Sequence, residues 1–271
     1  MKMNKKGILI GVFSLVILYF VICIIFVIPK GKKYSKTVFL GSDTKVSIKN
    51  NSINVYNEAN KYLKQAIKIY FKNEFIDGYI YTSQDDSKDI FITNKNGDRL
   101  SIYSTIIAHT PDVSIKIKES ETKESDNIED VYNFANSNNI AITDETELDY
   151  LRIDSIDIDD DKSNEEIYSV GLINYEVEHS DEEETKEDVV INKSYISFVY
   201  MKKSDKYILI DKIESEGEPA SFIQLSFAKL IDFDNDDNYE FVIERMMSAY
   251  GPYYYDLYNY GNNKFTKIGG E

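Results

Sequence analysis

The chain holds one cysteine, Cys23, among 271 residues, with two histidines, four prolines and no tryptophan. A single thiol makes no disulfide within the chain, so a cystine-stapled framework is excluded and the fold must rest on a hydrophobic core. The two histidines, His109 and His179, show no paired spacing, which excludes the nitrogen- and sulfur-rich ligand set that zinc favours. Both read as plain surface or half-buried residues. There is no Gly-x-Ser-x-Gly, no phosphate-cradling P-loop and no catalytic cysteine outside an apolar run. Basic residues are also in deficit: 31 lysines and arginines stand against 47 aspartates and glutamates, a formal net charge of −16. That balance excludes nucleic acid, whose phosphates require lysine and arginine. It also opposes lying flat on anionic lipid.

What the chain does have begins with an apolar run from Gly7 to Ile28, interrupted by Ser14. As a helix it would be roughly 33 Å long, enough to cross a bilayer. Lys2, Lys5 and Lys6 precede it, and Pro29, Lys30, Lys32 and Lys33 follow. A cleaved signal peptide would have a shorter core and small residues before the cut. Cys23 follows Ile22 in mid-run and reads as an apolar side chain rather than a lipidation site. The expectation is an uncleaved signal anchor in the cell membrane, single-pass, N-terminus inside and C-terminal domain extracellular. Lysines at both ends give the positive-inside rule little contrast. The orientation therefore rests on the acidity downstream and on the abundance of Ca²⁺ outside cells.

Periodicity divides the remainder. The stretch 1–33 is the tip, anchor and basic flank; 34–145 is a small membrane-proximal α+β region; 146–271 is a β domain of two blade-like repeats. In the middle part Thr44–Lys49 alternates as a strand, and Glu58 to Lys72 shows Ala59, Leu63, Ala66 and Tyr70 at helical spacing. Phe75 to Thr82 reads as a strand. Asp89–Thr93 and Arg99–Tyr103 read as a hairpin about Asn94-Lys95-Asn96-Gly97. Ile128, Val131, Tyr132 and Ala135 predict a short helix. From Tyr150 onward the chain is almost wholly β, with a weak internal repeat of strand, acidic loop, strand and hairpin. The fold class expected is mainly β, α+β overall.

The acidic loops carry the chemistry. The first runs Asp157-Ile158-Asp159-Asp160-Asp161-Lys162-Ser163-Asn164-Glu165. The second runs Asp232-Phe233-Asp234-Asn235-Asp236-Asp237-Asn238-Tyr239-Glu240. Carboxylates at positions 1, 3, 5 and 9 repel one another when folded close together, and a hard cation with oxygen ligands removes that repulsion. The ligand sets are Asp157, Asp159, Asp161, the carbonyl of Ser163 and Glu165, and then Asp232, Asp234, Asp236, the carbonyl of Asn238 and Glu240. An EF-hand would need glycine at 6, glutamate at 12 and flanking helices. Position 12 is Tyr168 or Ile243, and the flanks are β, so that reading is rejected. An unliganded acidic turn is the plainer alternative, which duplication of the whole spacing disfavours.

The stretches from Ser155 to Ile167 and from Leu230 to Val242 resemble the calcium loops of FG-GAP/VCBS-type β-propeller repeats. The resemblance covers about 120 residues at the C-terminal end. It implies a propeller-like antiparallel domain, Ca²⁺ as a structural cofactor, and loops that join two strands of a blade. The chain departs from that family at position 6, where Lys162 and Asp237 replace the usual glycine. Two blades also cannot close a propeller.

With no catalytic constellation, the expected function is a membrane-anchored, extracytoplasmic, Ca²⁺-stabilised binding or scaffold protein that is not an enzyme. A cell-wall polymer or a surface protein is the expected partner. A wall-glycan hydrolase using an acidic pair and an accessory subunit of an envelope assembly are the alternatives. The tyrosines Tyr250, Tyr253, Tyr254, Tyr255, Tyr258 and Tyr260 read as sheet packing, with sugar stacking as the functional version.

Overall fold

The computed structural model describes residues 36–41, 44–49, 52–56, 65–71, 73–82, 90–98, 107–123, 128–140, 142–143, 146–178, 189–216, 222–247 and 253–268. They form seventeen strands and one helix, arranged as three sheets.

The first sheet has seven strands. They are β1 (Thr37–Leu40), β2 (Thr44–Lys49), β3 (Ser52–Tyr56), β4 (Gln65–Phe71), β5 (Glu74–Thr82), β6 (Ile90–Asn94) and β7 (Ile107–His109), in the order β3-β2-β1-β7-β4-β5-β6. Strand β1 alternates, sending Val38 and Leu40 to one core and Phe39 to the other. Gly78 is obligatory in β5, because a Cβ there would collide with the Ile69 side chain and the Thr93 carbonyl.

The other two sheets share one design. Strands β10 (Thr146–Ile156), β11 (Glu165–Glu178), β12 (Val189–Lys203) and β13 (Lys206–Glu216) form an antiparallel meander. So do β14 (Ile223–Asp232), β15 (Glu240–Met247), β16 (Tyr253–Gly261) and β17 (Lys264–Ile268). Each meander gains a fifth, three-residue edge strand from one short segment. Strand β8 (Lys116–Lys118) pairs with β14, and β9 (Glu121–Lys123) pairs with β10. These two strands precede residue 145 in the chain yet complete the two C-terminal sheets.

The sheet of β14–β17 lies in the middle of the stack. One face meets the β10–β13 sheet through Leu225, Phe227, Leu230, Phe241 and Ile243 against Ile156, Ile167, Val199 and Met201. The other meets the seven-stranded sheet through Ala228, Ile231, Phe233 and Val242 against Val38, Leu40, Val46 and Ile107. A register shift between Phe227 and Lys229 lets residues of opposite parity, Phe227 and Leu230, share a face. Helix α1 (Ile128–Ser137) covers the outer face of the β10–β13 sheet with Val131, Phe134 and Ala135. Its core is aromatic: Phe134 stacks on Tyr200 at 4.0 Å and Tyr168 on Tyr200 at 4.6 Å.

Several expectations are corrected. The run Gly7–Ile28 lies outside the described residues, and among the described residues no helix is long and apolar enough to cross a membrane. Helix α1 has ten residues with Glu129 and Asp130 in its first turn, about half a bilayer core in length. The membrane-spanning part of the fold class, the membrane as partner and the single-pass, outward-facing localisation therefore find no support among the described residues. The propeller-like architecture is replaced by stacked open sheets, none of which closes on itself. The expected α+β region instead supplies the seven-stranded β sheet, while its helix α1 and strands β8 and β9 join the two C-terminal sheets. The helix expected over Glu58 to Lys72 fails where it is described: Gln65–Phe71 is β4, whose buried Ile67 and Ile69 keep a period of two. Pairing with β5 and β7 outweighs local helical spacing there.

Elsewhere Asn94–Gly97 does turn the chain, its carbonyl accepting from Gly97 N–H at 3.1 Å. Residues 99–106, which would complete that hairpin, lie outside the described residues, as do His179 and Tyr250. Tyr255 and Tyr258 are buried, while Tyr253 and Tyr260 pack partly buried against the cores.

Candidate metal centre

Both acidic loops are hairpin ends, the first joining β10 to β11 and the second β14 to β15. Their backbones match position by position. Positions 4 and 6 are left-handed in each, with φ of 59° and 70° at Asp160 and Lys162 and of 61° and 66° at Asn235 and Asp237. Asparagine and aspartate accept that conformation readily; Lys162 adopts it without the usual glycine. The position-1 carboxylate accepts from the position-6 N–H, at 3.0 Å from Lys162 to Asp157 and 3.2 Å from Asp237 to Asp232. The position-5 carboxylate accepts from position 7, at 2.7 Å from Ser163 to Asp161 and 2.8 Å from Asn238 to Asp236. The glutamate at 9 accepts from position 2, at 3.1 Å from Ile158 to Glu165 and 3.3 Å from Phe233 to Glu240. Position 2 is an apolar anchor. Phe233 is fully buried between two sheets, whereas Ile158 is half-buried.

The bends gather oxygens. Ligand atoms of Asp157, Asp159 and Glu165 lie within 4.8 Å of one another, and so do those of Asp232, Asp234 and Asp236. Asp161 and Glu240 stand outside these groups. Ser163 and Asn238 are exposed, and Asn238 Nδ2 also donates to Asp236 at 2.9 Å. A buried carboxylate oxygen without a hydrogen-bond partner occurs in each loop, Oδ1 of Asp157 and Oδ1 of Asp234. Such an oxygen in an all-oxygen donor set fits a hard cation, and Ca²⁺ takes roughly six to eight oxygens in flexible geometry. The residues present therefore fit Ca²⁺. Beside the second loop lies an open cavity of about 370 Å³, lined in part by Lys36, Asp112, Ser114, Asp234 and Asn235.

Electrostatics separate the two loops. In the first, Lys203 Nζ lies 2.5 Å from Asp159 and 3.0 Å from Glu165. That hydrogen bond holds the Asp159 carboxyl below its usual range. Lys118 donates to the Asp157 carbonyl at 2.8 Å and to Asp160 at 2.7 Å. In the second, Lys116 pairs with Asp237 and lies 3.3 Å from Asp232. Burial, then the charges of Asp236 and Asp232, raises the Asp234 carboxyl. Burial also pushes Glu240 up to about 7, with Asp234 and Asp236 adding to it and the Phe233 N–H bond opposing.

Sequence reasoning missed these lysines. Lys116 and Lys118 share one face of β8 through their two-residue spacing yet reach different loops. Lys203 is 44 positions from Asp159. The only local signal was the Lys116-Ile117-Lys118 alternation. No family model matches the chain, and no curated protein or solved structure matches it.

Proposed function

We propose that this chain is a non-enzymatic binding or scaffold module, stiffened by Ca²⁺ at the second acidic loop. The observation that carries this reading is the convergence of Asp232, Asp234 and Asp236 oxygens within 4.8 Å at a hairpin end whose first aspartate is fully buried. Three like charges so placed are costly in the ion-free protein, and a divalent ion removes that cost. The sequence resemblance to FG-GAP/VCBS calcium loops supports the same three aspartates and would add the Asn238 carbonyl and Glu240, which stands outside that group. Once wrapped around an ion, these carboxylates are committed to it, so the role is structural. The stiffened sheets would present a surface to a macromolecular partner.

Thermal unfolding of the full chain with Ca²⁺ or with a chelator tests this. At free ion about 100 times its Kd, binding to the folded state contributes about 2.7 kcal/mol. For a chain of this size that raises Tm by roughly 5–10 °C. Asp234→Ala is expected to abolish most of the rise. Equal melting of the wild-type chain in both conditions would remove the reading.

A further inference from the structure

We propose that Lys203 is the resident cation of the first acidic loop, so that the twin loops divide into one that carries its own positive charge and one that requires a divalent ion. The second half of that statement rests on the Ca²⁺ reading above; the first half stands on the Lys203 contacts alone.

The ammonium of Lys203 sits on Asp159 Oδ2 and Glu165 Oε1, two of the three residues of the first carboxylate group. Glu165 is almost wholly buried, at 3% exposure, and the lysine side chain is only 27% exposed. The contact is therefore held by packing rather than by chance at the surface. Strand register puts the lysine there. In β11 and β12, Glu166 pairs with Lys202, and the next residues toward the loop are Glu165 and Lys203. In β15 and β16, Phe241 pairs with Tyr258, and the next residues are Glu240 and Asn259. The position that supplies a cation to the first loop thus supplies a neutral amide to the second. Among the described residues, lysine forms ion pairs with the second loop at Asp232 and Asp237, and Lys118 lies over the Tyr239 ring at 4.9 Å; Asp234, Asp236 and Glu240 have no lysine ion pair there. An ion bound to Asp159 and Glu165 would share their oxygens with the ammonium, and like charges at such separation exclude each other.

Calorimetric titration of the full chain with Ca²⁺ tests this, using wild type, Lys203→Asn and Asn259→Lys. The wild-type chain is expected to bind one ion, Lys203→Asn two, and Asn259→Lys to lose at least tenfold in affinity at the second loop. Two ions on the wild-type chain, or the same number on Lys203→Asn as on wild type, overturns the proposal. No ion on the wild-type chain but one on Lys203→Asn upholds the role of Lys203 and removes the Ca²⁺ reading of the second loop. Should Lys203→Asn fail to fold, Asn259→Lys decides: unchanged affinity there overturns the equivalence.

Discussion

Phe233→Ala separates the loop's anchoring from its charge. Phe233 occupies position 2 of the second loop, is fully buried, and fills the core between the middle sheet and the seven-stranded sheet. Truncation removes a ring from a packed core and leaves a cavity whose walls, strands of two sheets, collapse only in part. The expected cost is about 3–5 kcal/mol, or a Tm lower by roughly 6–20 °C. Ile158 holds the same place in the first loop but is half-buried, and fewer of its atoms leave water on folding. Ile158→Ala is therefore expected to cost about 1–2 kcal/mol. Both backbones keep the N–H that bonds the glutamate at position 9, so the difference reports packing. Urea unfolding of the two variants beside wild type, followed by circular dichroism, measures it. Equal losses, or a greater loss for Ile158→Ala, would refute the view that the second loop is the one clamped between two sheets.

Two other expectations concern groups away from the loops. The Tyr200 hydroxyl is buried without a hydrogen-bond partner, inside a stack of Phe134 and Tyr168. Tyr200→Phe keeps the ring and removes the orphan, so stability should hold or rise by about 1 kcal/mol; a clear fall in Tm would show that the hydroxyl is satisfied. His109 is buried, and its Nδ1–H donates to the Thr110 carbonyl at 2.9 Å. Burial first, with Lys68 nearby, holds its pKa below the ordinary 6.5, against the Thr110 bond and Asp112. A depressed folded pKa means the unfolded chain takes the proton first as pH drops. The His109 contribution is thus complete above pH 6.5 and is lost as pH falls below it. The stability of wild type relative to His109→Gln should decrease between pH 7.5 and 5, and parallel profiles of the two proteins would contradict this.

The structure was legible in the residues where the signal was local. The strand–loop–strand units around Asp157–Glu165 and Asp232–Glu240, the helix beginning at Ile128 and the Asn94–Gly97 turn were all legible, because turn chemistry and side-chain period are properties of neighbouring residues. The segment Gln65–Phe71 was misread for the converse reason. Its Ala66 and Tyr70 fit a helix, yet partners on both sides of the sheet decide the outcome, and those lie elsewhere in the chain.

By itself the sequence determined a β-rich fold without disulfides, its acidity, and two bends of one spacing, since covalent order and side-chain type suffice for each. Only tertiary structure decided that three open sheets stack, that β8 and β9 from one short segment complete two different sheets, and that Lys203 meets the first loop while Asn259 holds the matching place at the second. Charge compensation depends on distance in space, and strand register, which brings residues 44 positions apart to 2.5 Å, is set by the packed cores of all three sheets.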